Sequence, residues 1–486
     1  LTVLYNSAIE GVLDELDDPN TSFIGAREWE DFRIRATDGD YAGVGLEVLP
    51  REGFVTVMTA IPGGPGARVG IRAGDRFLEI DGRPAEGMDV DEAVDLLRGE
   101  AGTSVEVVMG RPGVDEPIPF TLGREVIQLK SVPFGVVLDD GVGYIPLKVF
   151  RSTSAEEVQD EIDRLRTLGA HAFILDVRGN PGGILDEGID ITELFLEPGK
   201  TIVETRGRGA GQSEVYRARA PEAFPGLPLA ILVDETSASA AEIVAGALQD
   251  HDRALVVGAP TFGKGSVQTL FRLTGGNVLR LTTAHWYTPV GRSIQKDLPE
   301  DRSELPRGAW TLGNSLVATE DIPDRPVFQS MGGRDLLGGG GITPDIWVIQ
   351  DTLTEAEARA AQQLFAQAGA FYRASFNFAV RYLQERPGLD PDFRVTDGMV
   401  ASFVRTLRDA GAEVADATVV SADRYIRFQL ESEIALQAFG EEGQFLRLRD
   451  RDRQLVRALE AIRESSSASG LVAMGGDHPG AFPVGG

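Results

Sequence analysis

Along residues 1–16 the apolar positions Leu4, Ala8, Ile9, Val12, Leu13 and Leu16 recur at helical spacing, and Asp17-Asp18-Pro19-Asn20 stops the helix they predict. From about 37 to 125 the texture changes to short alternating runs divided by Gly-rich turns. Gly45–Val48, Phe54–Val57, Phe77–Ile80, Val105–Val108 and Pro117–Leu122 read as strands, and one helix capped by Asp89 runs to Arg98. Between 126 and 350 strand and helix alternate. Strands are expected at Tyr144–Phe150, His171–Val177, Leu227–Val233 and 254–258, helices at 154–168, 184–196 and 239–249, and a hairpin through Gly275-Gly276. That alternation predicts a layered α/β domain. Further on, Leu364, Ala368, Phe371, Tyr372, Phe376, Ala379 and Leu383 form one helical stripe, and two or three more helices precede 464. The Ser, Gly and Pro of 465–486 predict a flexible tail.

A chain of 486 residues is long enough for about three domains. Its 47 basic and 75 acidic residues leave a net charge of −28, a field that repels phosphate backbones and argues against nucleic acid as a partner. Cysteine is absent, which excludes disulfides, thiolate metal sites and a cysteine nucleophile. The four histidines, His171, His251, His285 and His478, lack metal-ligand spacing, so no metal is expected. No run of 18 apolar residues predicts a membrane span. The chain begins at Leu1 rather than Met, and a leader, signal or anchor segment is expected to have preceded it.

The chemistry gathers in two stretches. Leu227 to Val233 leads through small polar residues into a helix that opens at Ser239, placing a hydroxyl beside unsatisfied N–H groups and the positive end of a helix dipole. Such a serine suits nucleophilic attack, yet Ser239-x-x-Glu242 is equally a capping box. Lys264 is one of only five lysines and sits in the glycine-flanked turn Gly263-Lys264-Gly265 at the mouth of a strand. There it is either a surface lysine or a base entering a cleft, with Gln268 on the same strand face to orient its amine. Gly258 to Lys264 also matches the first seven positions of a P-loop, but Gly265 replaces Ser/Thr and the following residues alternate as a strand. The glycines at 182 and 183 end another strand and could aim an N–H into the same cleft.

Together these pieces resemble the carboxyl-terminal processing peptidases, or tail-specific proteases, over roughly 1–350. The matching text is Asp18-Pro-Asn-Thr-Ser-Phe23, Asp176-Val-Arg-Gly-Asn-Pro-Gly-Gly183, Thr236-Ser-Ala-Ser239-Ala-Ala-Glu-Ile243, Asp250-His-Asp-Arg-Ala-Leu-Val-Val-Gly258, Pro260-Thr-Phe-Gly-Lys264-Gly-Ser-Val-Gln268, Tyr287-Thr-Pro-Val-Gly-Arg292 and Gly341-Ile-Thr-Pro-Asp345. The resemblance implies Ser239 as nucleophile, Lys264 as general base, Gln268 as its support, and the N–H groups of Gly183 and Ala240 as the oxyanion hole. It demotes Ser237 to a turn residue. Asp250 matches an acidic position of the family, or is a structural residue at a helix end. Ala241 departs from the family's usual Ser. Residues 37–125 resemble a PDZ domain, with Gly43, Val44, Gly45 and Leu46 as its carboxylate-binding loop.

The expectation is therefore a multidomain α/β protein. A helical segment at 1–36 precedes a β-rich PDZ domain at 37–125, a crotonase-like or Clp-like protease core at 126–350, a mostly helical domain at 351–464 and a tail at 465–486. The implied activity is that of a serine endopeptidase with a Ser–Lys dyad and no cofactor, acting outside the cytoplasm on polypeptides with apolar C-termini. The helical regions are candidates for homo-oligomer formation. The alternatives are an idle PDZ scaffold and, more remotely, a nucleotide-binding protein.

Overall fold

The structure is a computed structural model that describes residues 2–34, 40–209, 211, 213–296, 308–313, 315–318, 325–366, 368–386, 388–409, 411–465 and 467–475. Residues 37–39, where the PDZ segment was expected to begin, lie outside the described residues, as do 476–486 of the expected tail.

The N-terminal segment is not purely helical. Between α1 (Thr2–Asp14) and α2 (Ala26–Arg33) lies β1 (Ser22–Ile24). The next unit enters through β2 (Asp40–Gly43), followed by β3 (Leu46–Arg51), β4 (Phe54–Ala60), α3 (Pro65–Arg68), β5 (Arg76–Ile80), β6 (Arg83–Pro84), α4 (Val90–Leu97), β7 (Ser104–Gly110) and β8 (Ile118–Gly123). It leaves through β9 (Glu125–Gln128), which pairs antiparallel with β2. The sheet order is β3-β4-β5-β7-β8, with β6 pairing β5, over a core of Val55, Val57, Phe77, Ile80, Ala93, Met109 and Leu122. Asp89 caps α4 by accepting from the Asp91 N–H at 2.9 Å.

The central body runs β10 (Val136–Leu138), β11 (Val142–Pro146), α5 (Ser154–Thr167), β12 (Ala172–Asp176), α6 (Leu185–Glu193), β13 (Thr201–Gly207), β14 (Glu214–Arg217), β15 (Leu229–Val233), α7 (Ala240–Asp250), β16 (Leu255–Gly258), β17 (Ser266–Arg272) and β18 (Val278–Tyr287). Two small hairpins follow, β19 (Gly308–Trp310) with β20 (Leu316–Ala318) and β21 (Val327–Gln329) with β22 (Asp335–Leu337), before β23 (Ile346–Trp347). The main sheet has the order β10-β11-β12-β15-β16-β23 and is parallel except at β10. Its central strands are apolar on both faces because both are covered. Phe173, Leu175, Ile231, Val233 and Val256 meet α5, α6 and α7, while Ile174, Ala230, Leu232, Leu255 and Val257 point the other way. A second sheet joins β1, β18, β13 and β14, with β17 on β18.

The C-terminal helices are α8 (Glu355–Phe365), α9 (Ala368–Glu385), α10 (Asp397–Asp409), α11 (Asp416–Ser421), α12 (Asp423–Leu448), α13 (Arg453–Glu464) and α14 (Ala468–Ala473). The stripe expected from Leu364 onward is thus divided between α8 and α9. Helices α8 to α12 build a core around Leu364, Phe371, Phe403, Tyr425, Ile426 and Leu430. Helices α13 and α14 instead lay Leu455, Ala458, Ala461, Ile462 and Leu471 on the second face of the main sheet, so the third layer of the α/β body comes from the end of the chain. This corrects the flexible tail expected from 465: within it Leu471 and Val472 are buried, and burial of those two side chains holds α14 in place. Helix α9 also receives the β3–β4 hairpin, where the Arg51 guanidinium lies 4.0 Å from the Phe376 ring centre.

Candidate active site

Strand β15 is followed by Asp234, whose carboxylate accepts the N–H groups of Thr236 and Ser237 at 3.0 and 2.9 Å and so folds the chain into a tight turn. The Ser237 hydroxyl is fully buried and donates to the Val177 carbonyl at 2.8 Å, which fixes it as a structural residue. Two residues on, Ser239 takes φ 56° and ψ −114°, a region that side-chain-bearing residues rarely enter. It is partly exposed between buried Ala238 and Ala240. A serine on a strained turn between a buried strand and a buried helix presents its hydroxyl outward, as nucleophile elbows do.

Glu242 lies in the first turn of α7, fully buried. Its Oε2 accepts the N–H of Ser239 at 2.8 Å and that of Lys264 at 2.9 Å. Its Oε1 accepts the Gly263 N–H at 2.7 Å and the Thr261 hydroxyl. The other half of a capping box is incomplete. The Ser239 hydroxyl is near the Glu242 amide, but that amide donates to Ser239's own carbonyl at 2.9 Å and the side chain makes no cap hydrogen bond. Burial pushes the Glu242 carboxyl up to about 7, against the four donors that favour its charged form.

Lys264 stands between glycines for a steric reason. Gly263 has φ 87°, and a Cβ there would lie 2.6 Å from Cβ of Lys296. The Lys264 carbonyl accepts the Trp286 indole N–H at 3.0 Å. Burial pushes the Lys264 amine below the usual lysine value, and the Arg280 guanidinium pushes it further, while Glu242 and Asp18 pull the other way. Among the described residues the Lys264 amine hydrogen-bonds no protein group, and the Ser239 hydroxyl has only the loose approach of the Glu242 amide. Two residues past Lys264 the chain enters strand β17, not the helix a phosphate-binding loop requires, which overturns the nucleotide-binding alternative.

Gln268 lies on β17 beyond a bulge at Val267/Gln268, and its amide donates to Ser266 Oγ at 2.9 Å and Thr282 Oγ1 at 3.4 Å rather than to Lys264. Gly182 approaches so closely that a Cβ on it would lie 2.7 Å from Cβ of Ser239 and 3.1 Å from the Ala240 nitrogen. The Ala238 N–H also donates to the Asn180 carbonyl at 2.9 Å, stitching the 177–183 loop to the serine turn. The N–H groups of Gly183 and Ala240 have no acceptor among the described residues. Asp250 sits at the other end of α7, about 16 Å from Ser239 at helical rise. There it pairs with Arg292, both fully buried, and accepts the Val290 N–H at 2.9 Å. That is the structural reading of Asp250.

In the β-rich unit Gly43, Val44 and Gly45 are buried and Leu46 is half-buried. The Val44 and Gly45 carbonyls accept from Gly66 at 2.9 Å and Ile61 at 3.0 Å, and among the described residues the Val44 and Gly45 N–H groups have no acceptor. Helix α4 is tied to α2 by Arg27 and Asp95 at 3.0 Å. Sequence reasoning took Glu242 only for a cap and did not find Arg280 or Thr261. Thr261 lies within the stretch Pro260–Gln268 that carries the resemblance, but Arg280 has no local signal, because β18 reaches the site through tertiary folding.

A family model described as peptidase family S41 matches residues 141–302, and one described as PDZ domain matches 56–111. The chain is 40% identical over 296 residues to a carboxy-terminal-processing protease of Bartonella bacilliformis, covering 60% of this chain and 67% of that relative. It is 37% identical over 343 residues to a carboxyl-terminal-processing protease of Synechocystis, covering 69% and 77%. The chain belongs to the carboxyl-terminal processing protease family and is a serine-type peptidase with a PDZ domain. A solved photosystem II D1 C-terminal processing protease aligns with 60% of this chain and 78% of its own, at 31% identity and a TM-score of 0.36.

Proposed function

We propose that this protease binds the free C-terminus of a polypeptide on its PDZ loop and cuts upstream with Ser239 and Lys264. The observation that carries the reading is the single Glu242 carboxylate that receives the backbone N–H groups of both residues. Neutral Lys264 removes the Ser239 proton as Oγ attacks the scissile carbonyl carbon. The unused N–H groups of Gly183 and Ala240 stabilise the resulting oxyanion. Lys264 then protonates the leaving amine and, neutral again, takes a proton from the water that releases the acyl group. Gln268 supports Lys264 from β17 through its side-chain carbonyl oxygen, which has no donor among the described residues. The buried, unsatisfied N–H groups of Val44 and Gly45 favour a carboxylate over a neutral chain end, and Leu46 favours an apolar last residue. The setting is extracytoplasmic.

Mass spectrometry of an unstructured protein with an apolar C-terminal residue tests this directly. Upstream cleavage is expected with the unaltered chain and none with Ser239→Ala. Persistent cleavage by that variant would remove Ser239 from the mechanism.

A further inference from the structure

The loop that runs from Val177 to Gly183 is held at one end by a residue far down the chain. Arg178 donates from Nε and Nη2 to Asp176 at 2.9 and 2.6 Å, and from Nη1 and Nη2 to Asp452 at 2.9 and 2.7 Å. Both contacts use two parallel hydrogen bonds, the geometry in which arginine fixes a carboxylate most firmly. Gln454 accepts from Arg178 Nη1 at 3.0 Å, and Gln350 donates to both Asp452 and Gln454, at 2.7 and 3.1 Å. All three charged side chains are at most 20% exposed, so solvent screens them little.

A cavity of about 510 Å³ borders Arg178, Gly179, Asp234 and Asp452. Packing therefore does not hold this stretch of the loop from that side, and the ion pairs do. From Arg178 the constraint passes directly into the site. The Gly179 N–H donates to Asp234 at 3.1 Å, Val177 accepts from Ser237 Oγ, and the Asn180 carbonyl accepts from Ala238, next to Ser239. Asp452 is itself anchored as the N-cap of α13, accepting the Leu455 N–H at 3.1 Å.

We infer that Asp452 is a positioning residue for proteolysis: through Arg178 it holds the loop that presents the Gly183 N–H to the reacting carbonyl. The inference rests on the oxyanion role proposed above for Gly183. It gives the end of the chain a part in catalysis, because the same helix that covers the sheet also sets the loop.

Asp452→Asn tests it in the full chain, since Asn caps a helix as well as Asp and α13 keeps its start. Asn offers one acceptor oxygen where Asp452 offers two and turns an NH2 toward a guanidinium N–H, so the two-oxygen fork is lost. The expected result is a kcat lowered about tenfold, KM within twofold, and the acid limb of the pH profile in place, because Lys264 is untouched. The number of serines labelled by a fluorophosphonate should stay constant. Asp452→Ser, which caps but cannot bridge, should show the same split. An unchanged kcat, a shifted limb, or a loss matched by fewer labelled serines would each overturn the inference. Ser239→Ala assayed alongside separates the two claims: activity in that variant defeats the nucleophile assignment whatever Asp452 does.

Discussion

The backbone N–H groups of Ser239 and Lys264 meet on one oxygen, Oε2 of Glu242. Residues 25 positions apart are thereby held at a fixed spacing by a third, which neither the helix α7 nor the strand β17 could do alone. Glu242→Gln would turn an NH2 toward two of the four donors and leave them buried and unsatisfied. A loss of about 1–3 kcal/mol in stability is expected, and kcat should fall about a hundredfold. Denaturant titration and steady-state kinetics on the same preparation measure both. A variant with normal kcat would show that the shared oxygen does not set the dyad.

On the proposed mechanism Ser239 and Lys264 act as a unit, so Ser239→Ala, Lys264→Ala and the double variant should lose activity to the same extent, by about 10³-fold or more. Lys264→Arg should be equally inactive, since a guanidinium does not give up its proton near neutral pH. Turnover by the Arg variant would exclude Lys264 as base.

The acid limb of kcat/KM should report the Lys264 amine losing its proton. Removing the Arg280 charge with Arg280→Gln makes protonation of Lys264 easier, raises its pKa and moves the limb to higher pH. Asp18→Asn removes an opposing charge and moves it lower. Replacing His251, whose ring bonds the Thr201 carbonyl at 2.7 Å, or His285 should leave the limb in place. A limb that vanished with either histidine would redraw the site around imidazole.

Substrates ending in an apolar free acid should be cut faster than the same chain ending in an amide or in Asp. Leu46→Asp should erase that preference. Full cleavage of short peptides by the variant would mean that the PDZ domain only tethers, whereas complete loss would mean that tail binding aligns the site.

Arg292→Met should leave the buried Asp250 carboxylate unpaired and destabilise the fold by about 3–5 kcal/mol. The folded fraction should keep its kcat, because the pair lies at the far end of α7. A selective loss of kcat would return Asp250 to the catalytic group.

The serine turn was legible because an apolar strand, small polar residues and a helix opening at Ser239 follow one another in the local pattern. Gln268 was placed on its strand, but the bulge that turns its amide to Ser266 and Thr282 leaves no mark in the sequence. The three residues of β1 are too few to show a period, so their pairing with β18 was invisible. Two or three helices were expected before 464 without bounds, and nothing in the stripe Leu455, Ala458, Ala461 and Ile462 of α13 says which surface it covers. The contact between Arg178 and Asp452 spans 274 positions, a separation no local pattern reports.

The pairing of Gly43 with Glu125 puts the two ends of the β-rich unit side by side. Antiparallel neighbours lie only about 5 Å apart, the width of a tight turn. The intervening 81 residues thus form a module on a two-stranded stalk, steadied by further contacts with α2 and α9. A short turn could close β2 directly onto β9, and the catalytic body would keep an unbroken path from β1 into its sheet. On the proposed reading of its loop, exchanging the module for one that keeps the stalk and the contacts with α2 and α9 would change which chain ends are bound while leaving Ser239 and Lys264 in place.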